Sequence, residues 1–294
     1  MTTAGDLIDR ITQKLHGWGQ TSDRITPLTG SIGPTDTSFT VDLTYGPANG
    51  IAPGVVEIGS EQIYVQNVDQ TSGLCTIANG FGRGYNGTTA ASHSAGAKVV
   101  SRPKFPRADL LTQLNEVIGA VYPELFSVGR YTTTVTFPQN TYTLPGEPPM
   151  DILDVQWQDP IGRWIQAFSY MIDPYDGTMR LGSGVLIGRP LRVLFTTQPG
   201  TFTSESDDYA TVTGLPASCS DVLILGVCAK QAGDLELPRA FLNTVEQTDR
   251  NRVVPPGTAL NASKYLQAEY MDRLQNEAAA LRRQYRTRLV RTWQ

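Results

Sequence analysis

Residues 25–102 constrain the fold more than any other stretch. Thr, Gly, Val and Ser dominate them, and apolar residues alternate in short segments: Phe39-Thr-Val41-Asp-Leu43, Val55-Val-Glu57-Ile58, Ile63-Tyr-Val65-Gln-Asn-Val68, Leu74-Cys-Thr-Ile77 and Lys98-Val-Val100. A repeat of two at short spacing, broken by Gly, Pro and Asn, predicts a small antiparallel β-module. Ile58-Gly-Ser-Glu61 fits a tight hairpin connection between two of its strands.

The flanks have a different period. In Asp6 to Trp18, Leu7, Ile8, Ile11 and Leu15 make one apolar helical face, which Gly17 and Gly19 end. Pro103 to Pro106 reads as a linker, and Arg107 to Leu125 returns to helix with a stripe of Leu110, Leu114, Val117, Ile118, Val121 and Leu125. Residues 131–214 are β again: Tyr131 to Phe137, Ile152 to Trp157, Trp164 to Phe168 and Leu191 to Phe195. Their turns are marked by Gly146-Glu-Pro-Pro149, Asp159-Pro160 and Asp173-Pro-Tyr-Asp-Gly177. Ser218 or Ser220 is a candidate cap for a helix through Val222, Ile224, Leu225 and Val227 to about Gly233. Pro238 opens a shorter one through Phe241, Leu242 and Val245. After Pro255-Pro256-Gly257, a last helix carries Tyr265, Leu266, Tyr270, Leu274, Leu281 and Leu289.

The order helix, β, helix, β, helices predicts an α+β fold. Its economical form is a discontinuous helical bundle with two inserted small antiparallel β-modules and a long C-terminal helix. Residues 1–24, 103–130 and 215–294 form the helical body, and residues 25–102 and 131–214 are the inserts. The composition change at both ends of 25–102 predicts a self-contained module. A chain that returns to one body after each insert holds the insert's ends close together.

Composition excludes several classes. The net charge of −4 and pI near 5.3 are not the basic balance of a protein that grips nucleic acid through its phosphates. Charged residues make up 18% of the chain, below the ~25% usual for soluble domains, which fits a surface largely covered by neighbours and fits a Gly- and Thr-rich β-protein equally well. Cys75, Cys219 and Cys228 are odd in number and lack paired spacing, so they predict reduced, buried thiols. Residues 1–6 carry neither the basic nor the apolar region of a signal peptide, and no apolar run approaches the 18 residues of a membrane span.

Chemistry-bearing motifs are sparse. Gly82-Arg-Gly84-Tyr-Asn-Gly87 matches the dinucleotide pattern, but the following Thr88 to Gly96 has no helical stripe, so a turn-rich loop is the better reading. His16 and His93 are the two histidines, and neither has a neighbouring Cys to suggest zinc. Asp207-Asp208 and Asp173/Asp176 lie in turn-forming sequence, where Asp caps and closes loops. No nucleophile elbow, metalloprotease helix or phosphate loop is present. The expectation is a protein without catalytic activity, cofactor or metal.

The end of the sequence is the most asymmetric part. No acid follows Glu277, while Arg282, Arg283, Arg286, Arg288 and Arg291 alternate with Leu281, Tyr285, Leu289 and Trp293. Such cations suit a helix C-terminus. Arg and aromatic residues are also enriched at interfaces, so Arg282, Arg283, Tyr285, Arg286, Arg288, Leu289, Arg291 and Trp293 are the candidate partner-binding residues. Like charges at helical spacing repel, which predicts that residues 282–294 are mobile until a partner orders them.

Val55-Val-Glu-Ile-Gly-Ser-Glu61-Gln-Ile-Tyr-Val65 and Arg83-Gly-Tyr-Asn-Gly-Thr88-Thr-Ala-Ala-Ser-His93-Ser-Ala-Gly-Ala-Lys-Val99 resemble a β-module that recurs in tailed-phage virion proteins. The surrounding plan, helices ending in a long basic helix, resembles the head-to-tail connector (adaptor) proteins beneath the phage portal. That resemblance implies a homo-oligomeric ring, typically twelvefold, in the virion neck. It implies a C-terminal segment that reaches the portal protein, a lower face that receives a stopper or tail protein, and DNA transit without sequence readout or membrane contact. A stopper, tail-completion or minor tail protein is the structural alternative. A glycan-binding or hydrolytic tail protein is the alternative of another class, set aside because the β-structure is split into two small pieces.

Overall fold

The computed structural model describes residues 2–19, 23–45, 51–136, 141–145, 151–167, 170–173, 178–182, 184–234 and 258–285. Helix α1 (Ala4–Gly19) is opened by a reciprocal cap. The Thr3 hydroxyl accepts from the Asp6 amide (3.2 Å), and the Asp6 carboxylate accepts from the Thr3 amide (2.8 Å). Its sequence-predicted stripe, Leu7, Ile8, Ile11 and Leu15, is buried together with Ala4.

Six strands follow: β1 (Arg24–Pro27), β2 (Ser38–Thr40), β3 (Gly54–Ile58), β4 (Glu61–Val68), β5 (Leu74–Ile77) and β6 (Lys98–Ser101). They form one antiparallel sheet in the order β1-β6-β3-β4-β5-β2. The hairpin predicted at Ile58–Glu61 is present: these two residues pair, and the two-residue loop begins with Gly59 at φ 62°, a left-handed value that favours glycine. Alternation then sorts the side chains. Val56, Ile58, Ile63, Val65 and Val99 join Phe39, Val41, Cys75 and Ile77 in one core. Glu57 and its cross-strand partner Gln62 sit at the intervening positions and are buried as well, so the middle of this sheet is covered on both faces.

After helix α2 (Arg107–Ala120) come β7 (Ser127–Thr134), β8 (Thr141–Thr143), β9 (Ile152–Gln158), β10 (Trp164–Gln166), β11 (Tyr170–Asp173), β12 (Thr178–Leu181) and β13 (Pro190–Thr197). They make a four-stranded sheet, β10-β9-β13-β7, and a three-stranded one, β11-β12-β8, with antiparallel pairings throughout. Val155, Leu191, Val193 and Phe195 of the first share a core with Tyr142, Met179 and Leu181 of the second. The last described elements are α3 (Tyr209–Thr213), α4 (Ser220–Asp234) and α5 (Thr258–Gln284).

These elements divide into two compact units. One comprises Thr3–Asn115 with Ser204–Ser206; the other comprises Met1–Thr2, Glu116–Thr203 and Asp207–Gln294. The boundary falls inside α2. In the second unit α4 and α5 pack together. Val222, Leu223, Ile224, Leu225, Val227 and Cys228 of α4 are all buried, as expected of a helix enclosed on every side. Helix α5 instead buries a narrow stripe, Leu266, Leu274, Ala278 and Leu281.

The α+β class holds. Helix α1 belongs to the unit that contains β1–β6, not to the unit of α4 and α5. The physical reason lies in non-local ties: the Gly5 amide donates to the Glu205 carbonyl (2.9 Å), and Asp9 pairs with Arg107 (2.5 Å). Neither candidate serine acts as an acceptor cap of α4. Ser220 donates to the Ala217 carbonyl (2.7 Å) and Ser218 to Glu277 of α5 (2.7 Å). Asp208 caps α3 by accepting from the Thr211 amide (3.0 Å), and Asp207 closes its loop by accepting from the Thr203 amide (2.7 Å), as turn carboxylates do. The helix read after Pro238 lies outside the described residues.

Candidate functional site

The motif that carries the virion-protein resemblance converges on one side chain. Glu61, the first residue of β4, is fully buried. Arg83 grips it with a two-pronged fork, Nε to Oε1 at 2.7 Å and Nη2 to Oε2 at 2.9 Å. The Gly84 amide donates to Oε1 (3.1 Å), the Ala91 amide to Oε2 (3.1 Å), and His93 Nε2 lies 2.8 Å from Oε2. Burial alone would push this carboxyl up. The Arg83, Ala91, His93 and Gly84 hydrogen bonds outweigh burial and bring it down to about 2, so Glu61 is an anion at any working pH.

The rest of the loop is set by the same network. Arg83 also donates to the Gly33 and Ala91 carbonyls. His93 exchanges two backbone hydrogen bonds with Ile32, each 2.9 Å. Gly84 has φ 59°, and a Cβ there would stand 2.6 Å from the Thr88 carbonyl, so the motif's glycine is needed for both conformation and space. The Thr88 hydroxyl accepts from the Gln62 amide (3.0 Å) and donates to the Tyr85 carbonyl (2.9 Å). Outside this network, Tyr64, Phe81 and Tyr85 form an aromatic cluster with ring centroids 5.2–6.5 Å apart, and Phe81 is exposed. The G-x-G-x-x-G match is therefore a folded loop around a buried carboxylate.

A second constellation in the same unit had no signal in the sequence. The Arg107 guanidinium pairs with Glu205 (Nη2 to Oε2, 2.7 Å) and Asp9, and its backbone amide donates to Glu57 Oε2 (2.7 Å). Asp9 and Glu205 each lie 98 residues from Arg107, and Glu57 lies 50 away, so no spacing rule could link them. Burial pushes the Glu57 carboxyl up to about 7 against the pull of Arg107, while the charges of Glu205 and Asp23 push it further in the same direction. A cleft of about 920 Å³ opens beside it, lined by Asp9, His16, Asp23, Glu57, Lys98 and Glu205 among others.

The candidate partner-binding residues divide. Arg282 and Arg283 are exposed in the last turn of α5. Tyr285 is half-buried, with its ring edge-on to Phe126 at 6.4 Å. Arg286, Arg288, Leu289, Arg291 and Trp293 lie outside the described residues. Among the described residues there is no group of three or more His, Cys, Asp or Glu placed to hold a metal ion, and no helix is long and apolar enough to cross a membrane.

No family model matches this chain, and no curated protein does. Among solved structures, it is similar at low level to three chains from gene transfer agent (GTA) particles. One comes from the neck of an empty particle computed with C6 symmetry: 16% identity, 56% of this chain and 81% of that one, TM-score 0.24. One comes from the virion of a native particle: 17% identity, 56% and 79%, TM-score 0.23. The third comes from the neck of a native particle computed with C12 symmetry: 17% identity, 54% and 81%, TM-score 0.22.

Proposed function

We infer that this chain is a structural protein of a tailed-phage virion neck: a head-to-tail adaptor that forms a ring below the portal, joins capsid to tail and lets DNA pass. The observation that carries the reading is the closure of the motif around Glu61. Arg83, Gly84, Ala91 and His93 all bond to that carboxylate. A fully buried anion held by a guanidinium, two amides and an imidazole has no room to shuttle a proton or receive a substrate, because catalytic carboxylates need access and a pKa near the working pH. The recurrent module is in this reading an assembly part.

Composition supports the same role. A chain of net charge −4 does not clamp the DNA that passes it. The docking element in this proposal is the arginine-rich end, with Arg282 and Arg283 already exposed and Arg286, Arg288 and Arg291 following in sequence. The carboxylates it meets belong to the portal protein, which makes docking salt-sensitive.

The test is a truncation after Tyr285, which keeps the ring packed on Phe126. The truncated chain stays folded and soluble, and its binding to purified portal drops by at least tenfold. Undiminished binding overturns the docking role of the tail.

A further inference from the structure

We propose that Asn79-Gly80 is a self-modification site: the Gly80 amide nitrogen attacks the Asn79 side-chain carbonyl, ammonia leaves, and water opens the resulting ring to aspartate or isoaspartate. The proposal concerns the first compact unit alone and is independent of the neck reading.

Asn-Gly is the pair in which this chemistry is easiest, because glycine puts no side chain in the way of the attacking nitrogen. The chain has three such pairs, at Asn49, Asn79 and Asn86. The first lies outside the described residues. Asn79 and Gly80 form the crown of the turn after β5, and both are exposed. Among the described residues, neither the Asn79 carboxamide nor the Gly80 amide makes a hydrogen bond. Gly80 has φ 83°, and nothing stands within 4 Å of the Cβ it lacks, so the approach is open. The ends of the turn are tied instead. The Ala78 amide donates to the Tyr64 carbonyl (3.0 Å), the Gly82 amide to the Ala78 carbonyl (2.9 Å), and the Tyr64 amide to the Gly82 carbonyl (2.7 Å).

Asn86-Gly87 has the same covalent chemistry and the opposite surroundings. Asn86 Nδ2 donates to Gln62 Oε1 (2.8 Å), and Gln62 is itself buried. The turn around it is closed twice, because the Thr88 amide (3.2 Å) and hydroxyl (2.9 Å) both donate to the Tyr85 carbonyl. Swinging the Asn86 carboxamide onto the Gly87 nitrogen breaks the bond to Gln62. Losing one net hydrogen bond slows that step by about fivefold.

The reaction needs no partner but water. A bond forms from the Gly80 nitrogen to Asn79 Cγ as the bond from Cγ to Nδ2 breaks, and Nδ2 leaves as ammonia with the proton that Gly80 gives up. Water then cleaves either carbonyl of the ring. Cleavage at Cγ restores the backbone and leaves aspartate; cleavage at the backbone carbonyl routes the chain through the side chain and adds one methylene between Ala78 and Gly82. Gly82 is seated too closely to follow that lengthening: a Cβ on it would stand 2.4 Å from Ile77 and 2.5 Å from the Ala78 carbonyl. The isoaspartyl form therefore loses the bond from the Gly82 amide to Ala78. It also places a new carboxylate beside the exposed Phe81.

The test ages the full chain at pH 8 and locates each converted amide by fragmentation mass spectrometry of its peptides. In the folded chain, conversion at Asn79 is expected to run at least about fivefold faster than at Asn86. In denaturant the two sites are expected to convert at equal rates. An Asn79 that stays intact until denaturant is added overturns the proposal, and so does conversion at Asn86 as fast as at Asn79 in the folded chain. A preference for Asn79 that persists unchanged in denaturant overturns the role given to the fold.

Discussion

Arg83 holds Glu61 across 22 residues of sequence through two parallel hydrogen bonds, with Glu61 fully buried and the Arg83 side chain only 12% exposed. The pair closes the loop of residues 83–93 onto β4. Removing one partner strands the other charge in a dry site, which costs far more than the pair itself contributes. Arg83→Ala and Glu61→Ala are each expected to destabilise this unit by about 3–5 kcal/mol. Arg83→Lys keeps the charge but loses the fork, so its loss is expected to be smaller than that of Arg83→Ala. Urea unfolding followed by far-ultraviolet circular dichroism measures this, and a loss under 1 kcal/mol for Arg83→Ala contradicts it.

Two buried glutamates give the stability opposite pH dependences. Glu61, held near 2 when folded against 4.5 when unfolded, contributes stability that is present above pH 4.5 and lost as pH falls towards 2. Glu57, raised to about 7, contributes stability that is present below pH 4.5 and lost as pH rises through 7. The Glu57 loss amounts to about 3 kcal/mol if the whole shift is realised in unfolding. Glu57→Gln is therefore expected to gain on the wild type between pH 5 and pH 8, and Glu61→Gln to lose less than the wild type between pH 4.5 and pH 2. Thermal melts across pH read both slopes.

The three thiols are predicted to be silent in the native protein. Cys75, Cys219 and Cys228 are buried thiols outside any disulfide. Burial pushes the Cys75 thiol up to about 12, and burial together with Glu277 pushes that of Cys219 to about 11. Thiolate is the reactive form, so a disulfide reagent at pH 8 should label none of them until denaturant is added. Rapid labelling of even one in the folded chain contradicts the packing.

Gly226 lets neighbouring elements approach α4 closely. A Cβ there would stand 2.7 Å from Val117 of α2 and 3.0 Å from the Tyr270 ring of α5. Gly226→Ala trades a gain in helix propensity for overpacking, with an expected net loss of about 1–3 kcal/mol. A stabilised variant in denaturant unfolding contradicts the close approach.

The sequence exposed what is local. Periods of two and of 3.6 placed β3 with β4, the stripes of α1 and α2, and Leu266, Leu274 and Leu281 of α5, because one covered face imposes a pattern on neighbouring residues; Tyr265, read into the α5 stripe, is exposed instead. The turn reading of Gly82 to Gly87 held for the same reason: the absence of a helical stripe after Thr88 is itself a local signal. What stayed hidden is non-local. Nothing near Arg107 in sequence points to Asp9, Glu57 or Glu205, all of which bond to it. Ser218 and Ser220 misled because a hydroxyl near a helix start resembles a cap even when it donates elsewhere. The motif around Glu61 was legible as a resemblance, but its physical reason, five donors around one carboxylate, required the fold.

The neck assignment is tested most directly by imaging the particle that carries this chain, with a small folded tag fused to residue 1 to mark its position by cryo-electron microscopy. The account predicts a closed ring of added density between capsid and tail, directly below the portal. Added density at the tail tip or along the tail tube, or none in the assembled particle, contradicts it.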